Sequence, residues 1–279
     1  MARRHPGLPK PEQRVVSKQD ALGILQQIDS CPASRDRVLD IENHFRAGIE
    51  RHIDQLPAKD ARFQKFNTNP FVLMMHTKRR GYRRISEIEA DILPAKLFSS
   101  METSAGRMVE AIMLPQHGWE CVSSGMQTAE SAIDGRRLDG GILRLATLKS
   151  GPKCLNDDIS KNLASAIVAN ANAWGRSAGV RSIDFTFGVL YGTQRASMKK
   201  DWHILRYIAE KIPNEKMITS PNGRWSCKFK QGGLTVEVSI RIGSDWWCHL
   251  GGPNCLMEMA VALIRACVAP GAEDRTGQE

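Results

Sequence analysis

The chain has 279 residues, with 39 Lys and Arg against 30 Asp and Glu, a formal net charge of +9. Its 42% hydrophobic content is enough for a buried core and excludes a disordered basic tail. No apolar run reaches the roughly 20 residues of a membrane span, and the opening MARRHPGLPKPEQR has charge but no apolar stretch, so neither a membrane nor a secretory signal is expected.

The excess of cations points to a polyanionic partner. The cysteines, at 31, 121, 154, 227, 248, 255 and 267, are odd in number and form no CxxC pair. Free thiols packed as small hydrophobes are expected, Cys267 within LIRACV being one example, in a reducing cytoplasm.

In chain order, residues 1–18 read as a basic, proline-containing arm. From 19 to 57 the spacing is helical. Leu22, Leu25 and Ile28 form a short stripe, and Val38, Ile41, Phe45, Ile49 and Ile53 a longer one, with Ser34 as the expected N-cap. KRRGYRR at 78–84 places Lys78, Arg79, Arg80, Arg83 and Arg84 around one tyrosine, a solvated face or a phosphate-contacting one. Helical spacing returns over 85–98, interrupted by Pro94, and again over 103–114, with Met108, Ile112 and Met113 inward.

A short strand is expected at 119–123. Asp139-Gly140-Gly141 then joins two further strands as a hairpin, the second being ILRLATLK. A helix over 159–174, a strand over 181–192, a helix over 204–212, a strand over 234–243 and a final helix near 254–268 complete an α/β order. The hairpin makes the central sheet mixed, flanked by helices, with an N-terminal helical subdomain.

There is no GxxxxGK[ST], no GxGxxG after a strand, no HExxH and no GxSxG, so no nucleotide cofactor and no zinc hydrolase is expected. The remaining chemistry lies in Glu110, in the hairpin acids Glu130 and Asp134, and in Thr147 and Lys149. In a regular strand positions 130, 132 and 134 share one face, as do 147 and 149. Carboxylates, a hydroxyl and an ammonium in one cleft suit phosphodiester hydrolysis, with Mg²⁺ on the carboxylates and the lysine beside the attacking water.

Five stretches carry a resemblance: FNTNPF (66–71), TSAGRMVEAIMLP (103–115), ESAIDGRRLDGGILRLATLKSGPKCLN (130–156), FTFGVLYG (185–192) and SDWWCHLGG (244–252). In these the chain, over about 66–268, resembles type II restriction endonucleases of the PD-(D/E)XK nuclease superfamily, within it those that cut GGNCC-type (RGGNCCY) sites. The resemblance implies a restriction-endonuclease-like core over 101–270, a helical DNA-binding or dimerisation region over 19–100 and a tail over 271–279. It makes Lys149 the motif lysine, puts Thr147 in the (D/E) place and makes Glu110 the helix acid.

Counted back from the Asp139-Gly140 turn, the family's first-strand aspartate falls on Ala132, which cannot ligate a metal. Three explanations stand open: an Asp→Ala variant, a local shift of register that lets Asp134 or Glu130 supply the ligand, or a naturally inactive DNA binder. Ser150, Lys153 and Asn156 follow the motif lysine where the family approaches the scissile phosphate. Arg195, Lys199 and Lys200 form a further basic cluster, and Trp246-Trp247 are expected in the core or a dimer contact. The implied activity is Mg²⁺-dependent cleavage of double-stranded DNA by a homodimer on a (pseudo)palindromic site. The alternative is a non-catalytic, sequence-specific DNA-binding protein on a decayed nuclease fold.

Overall fold

The computed structural model describes residues 17–55, 70–81, 84–122, 132–151, 154–192, 200–212, 217–219 and 225–268. Arg83, Glu130, Lys153, Arg195, Lys199 and most of the basic arm lie outside the described residues.

Helix α1 (Lys18–Ser30) opens with a capping box, Ser17 and Asp20 each satisfying the other's backbone N–H. Helix α2 (Pro32–Gln55) begins at Pro32, two residues ahead of the expected N-cap, so Ser34 lies inside the first turn. Proline suits the first turn because its missing N–H has no partner there in any case. Helix α3 (Pro70–Arg80) ends on Lys78, Arg79 and Arg80.

Helix α4 (Ile85–Gln116) is one continuous helix where two were expected, and it runs through the boundary expected at residue 100. Pro94 removes one backbone donor without ending it. The C-terminal turns of α4 are anchored by buried Ile112, Met113 and Leu114.

The strands are β1 (Glu120–Cys121), β2 (Gly135–Asp139), β3 (Ile142–Lys149), β4 (Ser182–Val189), β5 (Met217–Thr219), β6 (Trp225–Gln231) and β7 (Leu234–Ile242). They form one seven-stranded mixed sheet in the order β1-β2-β3-β4-β7-β6-β5. The β3–β4 and β4–β7 pairs are parallel and the rest antiparallel. Gly140 and Gly141, at φ 56° and 78°, form the two-residue β2–β3 turn, which requires positive φ at both positions.

Helix α5 (Asp157–Ala178) makes the crossover between β3 and β4, and α6 (Lys200–Lys211) follows β4. Helices α7 (Ser244–Gly251) and α8 (Cys255–Val268) close the chain. Strands β5 and β6 were not expected from the sequence. In β6 buried Trp225, Cys227 and Phe229 alternate with Ser226 and Lys228, but Ser226 is also buried, which blurs the period-two signal.

Side chains alternate across the sheet. One face carries Leu143, Leu145, Ile183, Phe185, Phe187, Val236 and Val238 against α5 and α6. The other carries Ala146 and Leu148 against α1, α2, α4, α7 and α8. The expected N-terminal subdomain is therefore not separate: Ile28, Val38, Ile41 and Phe45 share one apolar cluster with Met113, Trp246 and Ala262. Trp246 and Trp247 are buried in that cluster, as core residues. Cys227 and Cys255 are buried, whereas Cys31, Cys121, Cys154, Cys248 and Cys267 are exposed, contrary to the expectation of mostly packed thiols. Cys267 falls on the outer side of α8, where an apolar neighbourhood in sequence does not bring burial. No helix among the described residues is long and apolar enough to cross a membrane.

Candidate active site

The site is built where β2 begins and β3 ends. Strand β2 starts at Gly135, later than the hairpin count assumed, and Ala132 stands ahead of it in a short helical turn. Ala132 packs against the apolar cluster under α5 and does not share a strand face with Asp134. The ladder instead reaches back by one residue, Asp134 N–H donating to the Ala146 carbonyl at 2.8 Å, which brings Asp134 opposite Thr147.

Asp134 Oδ2 accepts from the Thr147 hydroxyl at 3.0 Å and from the Leu148 backbone N–H at 2.6 Å. Both bonds fall on one carboxylate oxygen. Among the described residues, Oδ1 takes no hydrogen bond, so the carboxylate is oriented with one oxygen open. Thr147 is buried and Lys149 half-buried, two residues on along the same face of β3.

Helix α4 supplies the third element. Gly106 lies directly against Ser150, where a Cβ would overlap the serine Oγ, so the helix seats closely on the end of β3. One turn on, Glu110 projects from the same side of the helix into the Asp134–Lys149 neighbourhood. Burial, and next the Asp134 charge, push the Glu110 carboxyl up to about 7, with Lys149 and Arg107 opposing the rise. Cys121 on β1 borders the same charges. Its thiol is pushed up by burial and then by Glu110 and Asp134.

Glu110, Asp134, Thr147 and Lys149 thus come together from α4 and the two hairpin strands. Arg107 joins them on the α4 surface, exposed and three residues before Glu110. Arg107 carries one signal in the sequence, its i,i+3 spacing from Glu110. Tyr191, which no local pattern marks, stands exposed just past β4, its hydroxyl end against Gly151.

The other expected contacts are more scattered. Ser150 packs on α4, and Asn156 caps α5, its Oδ1 accepting from the Ile159 N–H at 2.8 Å. Lys78, Arg79 and Arg80 are exposed on the last turn of α3, with Arg80 3.5 Å from Asp91 of α4. Arg84 is the exposed residue preceding α4. None of these four cations belongs to the elements that build the cluster.

Two carboxylates with an open oxygen suit a hard divalent cation that keeps most of its waters, as Mg²⁺ does. Their mutual repulsion at Glu110 is the electrostatic condition that such a cation relieves. Among the described residues no group of three or more His, Cys, Asp or Glu is gathered as a ligand set. No family model matches the chain, and no curated protein matches it in sequence.

Proposed function

We propose that this protein is a divalent-cation-dependent endonuclease of double-stranded DNA, of the kind represented by type II restriction enzymes of the PD-(D/E)XK superfamily. The observation that carries the reading is the meeting of Asp134, at the head of β2, with Thr147 and Lys149, at the end of β3, beside Glu110 of α4. The order helix, antiparallel hairpin, crossover helix, parallel strand supports it. So does the +9 charge, which favours a polyanionic substrate.

In this reading Asp134 is the first-strand aspartate and position 132 needs no carboxylate. Asp134 and Glu110 would hold Mg²⁺, which when bound supplies a Lewis acid and a water of lowered pKa. Thr147 and the Leu148 N–H aim the Asp134 carboxylate. Lys149 stands on the same face to orient the attacking water and offset charge developing on the phosphoryl oxygens. A symmetric DNA site is met by two copies of the chain, each presenting one cluster to one strand.

The test is Mg²⁺-dependent nicking or cleavage of duplex DNA carrying GGNCC-type and scrambled sites, with chelator as control. Cleavage by the wild-type chain that is lost in Asp134→Ala supports the proposal. Specific duplex binding without cleavage at any Mg²⁺ concentration selects the non-catalytic DNA-binding alternative, which the absence of a carboxylate at Thr147 favours.

A further inference from the structure

The C-terminal end of α4, the end of α7, α2 and β2 line an open cavity of about 440 Å³. Its lining includes Arg37, Gln116, His117, Arg137, Cys248 and His249. Neither a carboxylate nor a large apolar surface dominates it, and two of its walls are guanidinium groups.

Both arginines are held in place from behind. Arg37 Nη1 donates to both oxygens of Glu258, each at 3.0 Å, and Glu258 is only 1% exposed. Among the described residues, the Nε and Nη2 of Arg37 have no hydrogen-bond acceptor. Arg137 Nη1 donates to the His117 and Leu250 carbonyls, at 3.1 and 3.4 Å, while the guanidinium lies 5.0 Å from the centre of the Trp119 ring. Among the described residues, the Arg137 Nε is buried without an acceptor. A planar fork so fixed loses little further freedom when an oxyanion arrives, which is the condition for tight recognition.

Acidic partners offset part of this charge: Glu258 pairs with Arg37, Asp139, at 3.7 Å from Arg137 and 3.1 Å from Arg144, is shared between two arginines, and Asp40 accepts from the Gln116 amide. The positive field is felt by the neighbouring ring: burial, with Arg37 and Arg137 adding to it, lowers His117 to about 4, so the imidazole is neutral at physiological pH. Its Nε2 is 3.2 Å from the Cys255 sulfur.

We propose that this cavity is a binding site for a phosphate-type oxyanion, clamped between Arg37 and Arg137. The site is separate from the Asp134 cluster and does not rest on the nuclease reading. At about 440 Å³ the cavity is several times larger than one tetrahedral group, so it admits inorganic phosphate or a small phosphate monoester such as a nucleoside 5′-monophosphate.

Cys248 is an exposed thiol on the cavity wall and serves as the reporter, with the exposed Cys31, Cys121, Cys154 and Cys267 as internal controls. The unaltered protein is alkylated with iodoacetamide in inorganic phosphate, in a nucleoside 5′-monophosphate, or in chloride at equal ionic strength, and each cysteine is followed by peptide mass spectrometry. The proposal expects labelling of Cys248 to slow severalfold in phosphate, in the nucleotide or in both, with the four controls unchanged. Protection by both identifies the phosphate group alone as sufficient, and protection by the nucleotide alone assigns a ligand carrying sugar and base. No selective slowing in either overturns the site. A Cys248→Asp variant places a carboxylate against the arginines and is expected to abolish phosphate binding by calorimetry. Undiminished binding in that variant overturns the location. The labelling arm requires no substitution and stands whether or not the variant folds.

Discussion

Asp134 and Thr147 face each other across the β2–β3 hairpin, the threonine hydroxyl donating to the aspartate at 3.0 Å. The threonine hydroxyl therefore orients the aspartate carboxylate. The candidate site has its acids on α4 and at the head of β2, and a hairpin cation at Lys149. Asp134→Asn is expected to reduce Mg²⁺-dependent cleavage by at least 10²-fold with duplex affinity in Ca²⁺ little changed. Ala132→Asp is expected to leave the rate where it is. A rate restored or raised by Ala132→Asp, with Asp134→Asn neutral, reverses the assignment.

Thr147→Val separates orientation from ligation. The hydroxyl is lost while shape is kept, and among the described residues the half-buried Asp134 retains only the Leu148 N–H. The Mg²⁺ concentration at half-maximal cleavage should rise, and Thr147→Ser should restore it. A Val variant with unchanged Mg²⁺ dependence would assign the hydroxyl to packing alone.

The Glu110 carboxyl, raised to about 7, imposes a pH dependence of known sign. Its folded-state pKa lies above the unfolded value, so its contribution to stability is complete below about 4.5 and is lost as pH rises through about 7. A cation must displace that proton, so Mg²⁺ binding should tighten over the interval from pH 6 to pH 8. Titrating Mg²⁺-induced thermal stabilisation across that range checks it. Glu110→Gln should flatten the profile and, without metal, melt higher than wild type at pH 8.

His117 gives the opposite slope. Its pKa is lowered to about 4 by burial and by Arg37 and Arg137, so the stability it contributes is present above pH 6.5 and lost as pH falls towards 4. Chemical denaturation at pH 7.5 and pH 5 should show the wild-type protein weakening more than His117→Gln.

Gly188 tests the packing of α7 on the sheet. A Cβ there would stand 2.7 Å from the buried Trp246 ring and 2.8 Å from Leu148. Gly188→Ala is expected to cost about 1–3 kcal/mol by overpacking. Equilibrium unfolding measures it, and a neutral result would mean that Trp246 shifts without cost.

Much of this protein is determined by its sequence alone. The apolar spacing of Val38, Ile41 and Phe45, the alternation of Ile183, Phe185, Phe187 and Val189, and the Gly140-Gly141 turn are local patterns, and each appears in the structure where the pattern puts it. Glu110, Thr147 and Lys149 were likewise legible, because helix and strand periods assign faces without reference to distant chain. The register at the head of β2 was not. Whether position 132 or 134 faces Thr147 depends on where the ladder ends, and a strand's two faces exchange with a one-residue change in that choice. Tertiary structure decided it, by packing Ala132 into the apolar cluster and giving Asp134 the Thr147 and Leu148 donors. The same holds for Arg37 and Arg137, a hundred residues apart in sequence, whose common cavity exists only because α2 and β2 converge on the end of α4. Local periodicity is a property of neighbouring residues, whereas register and convergence are set by burial, which only the folded chain defines.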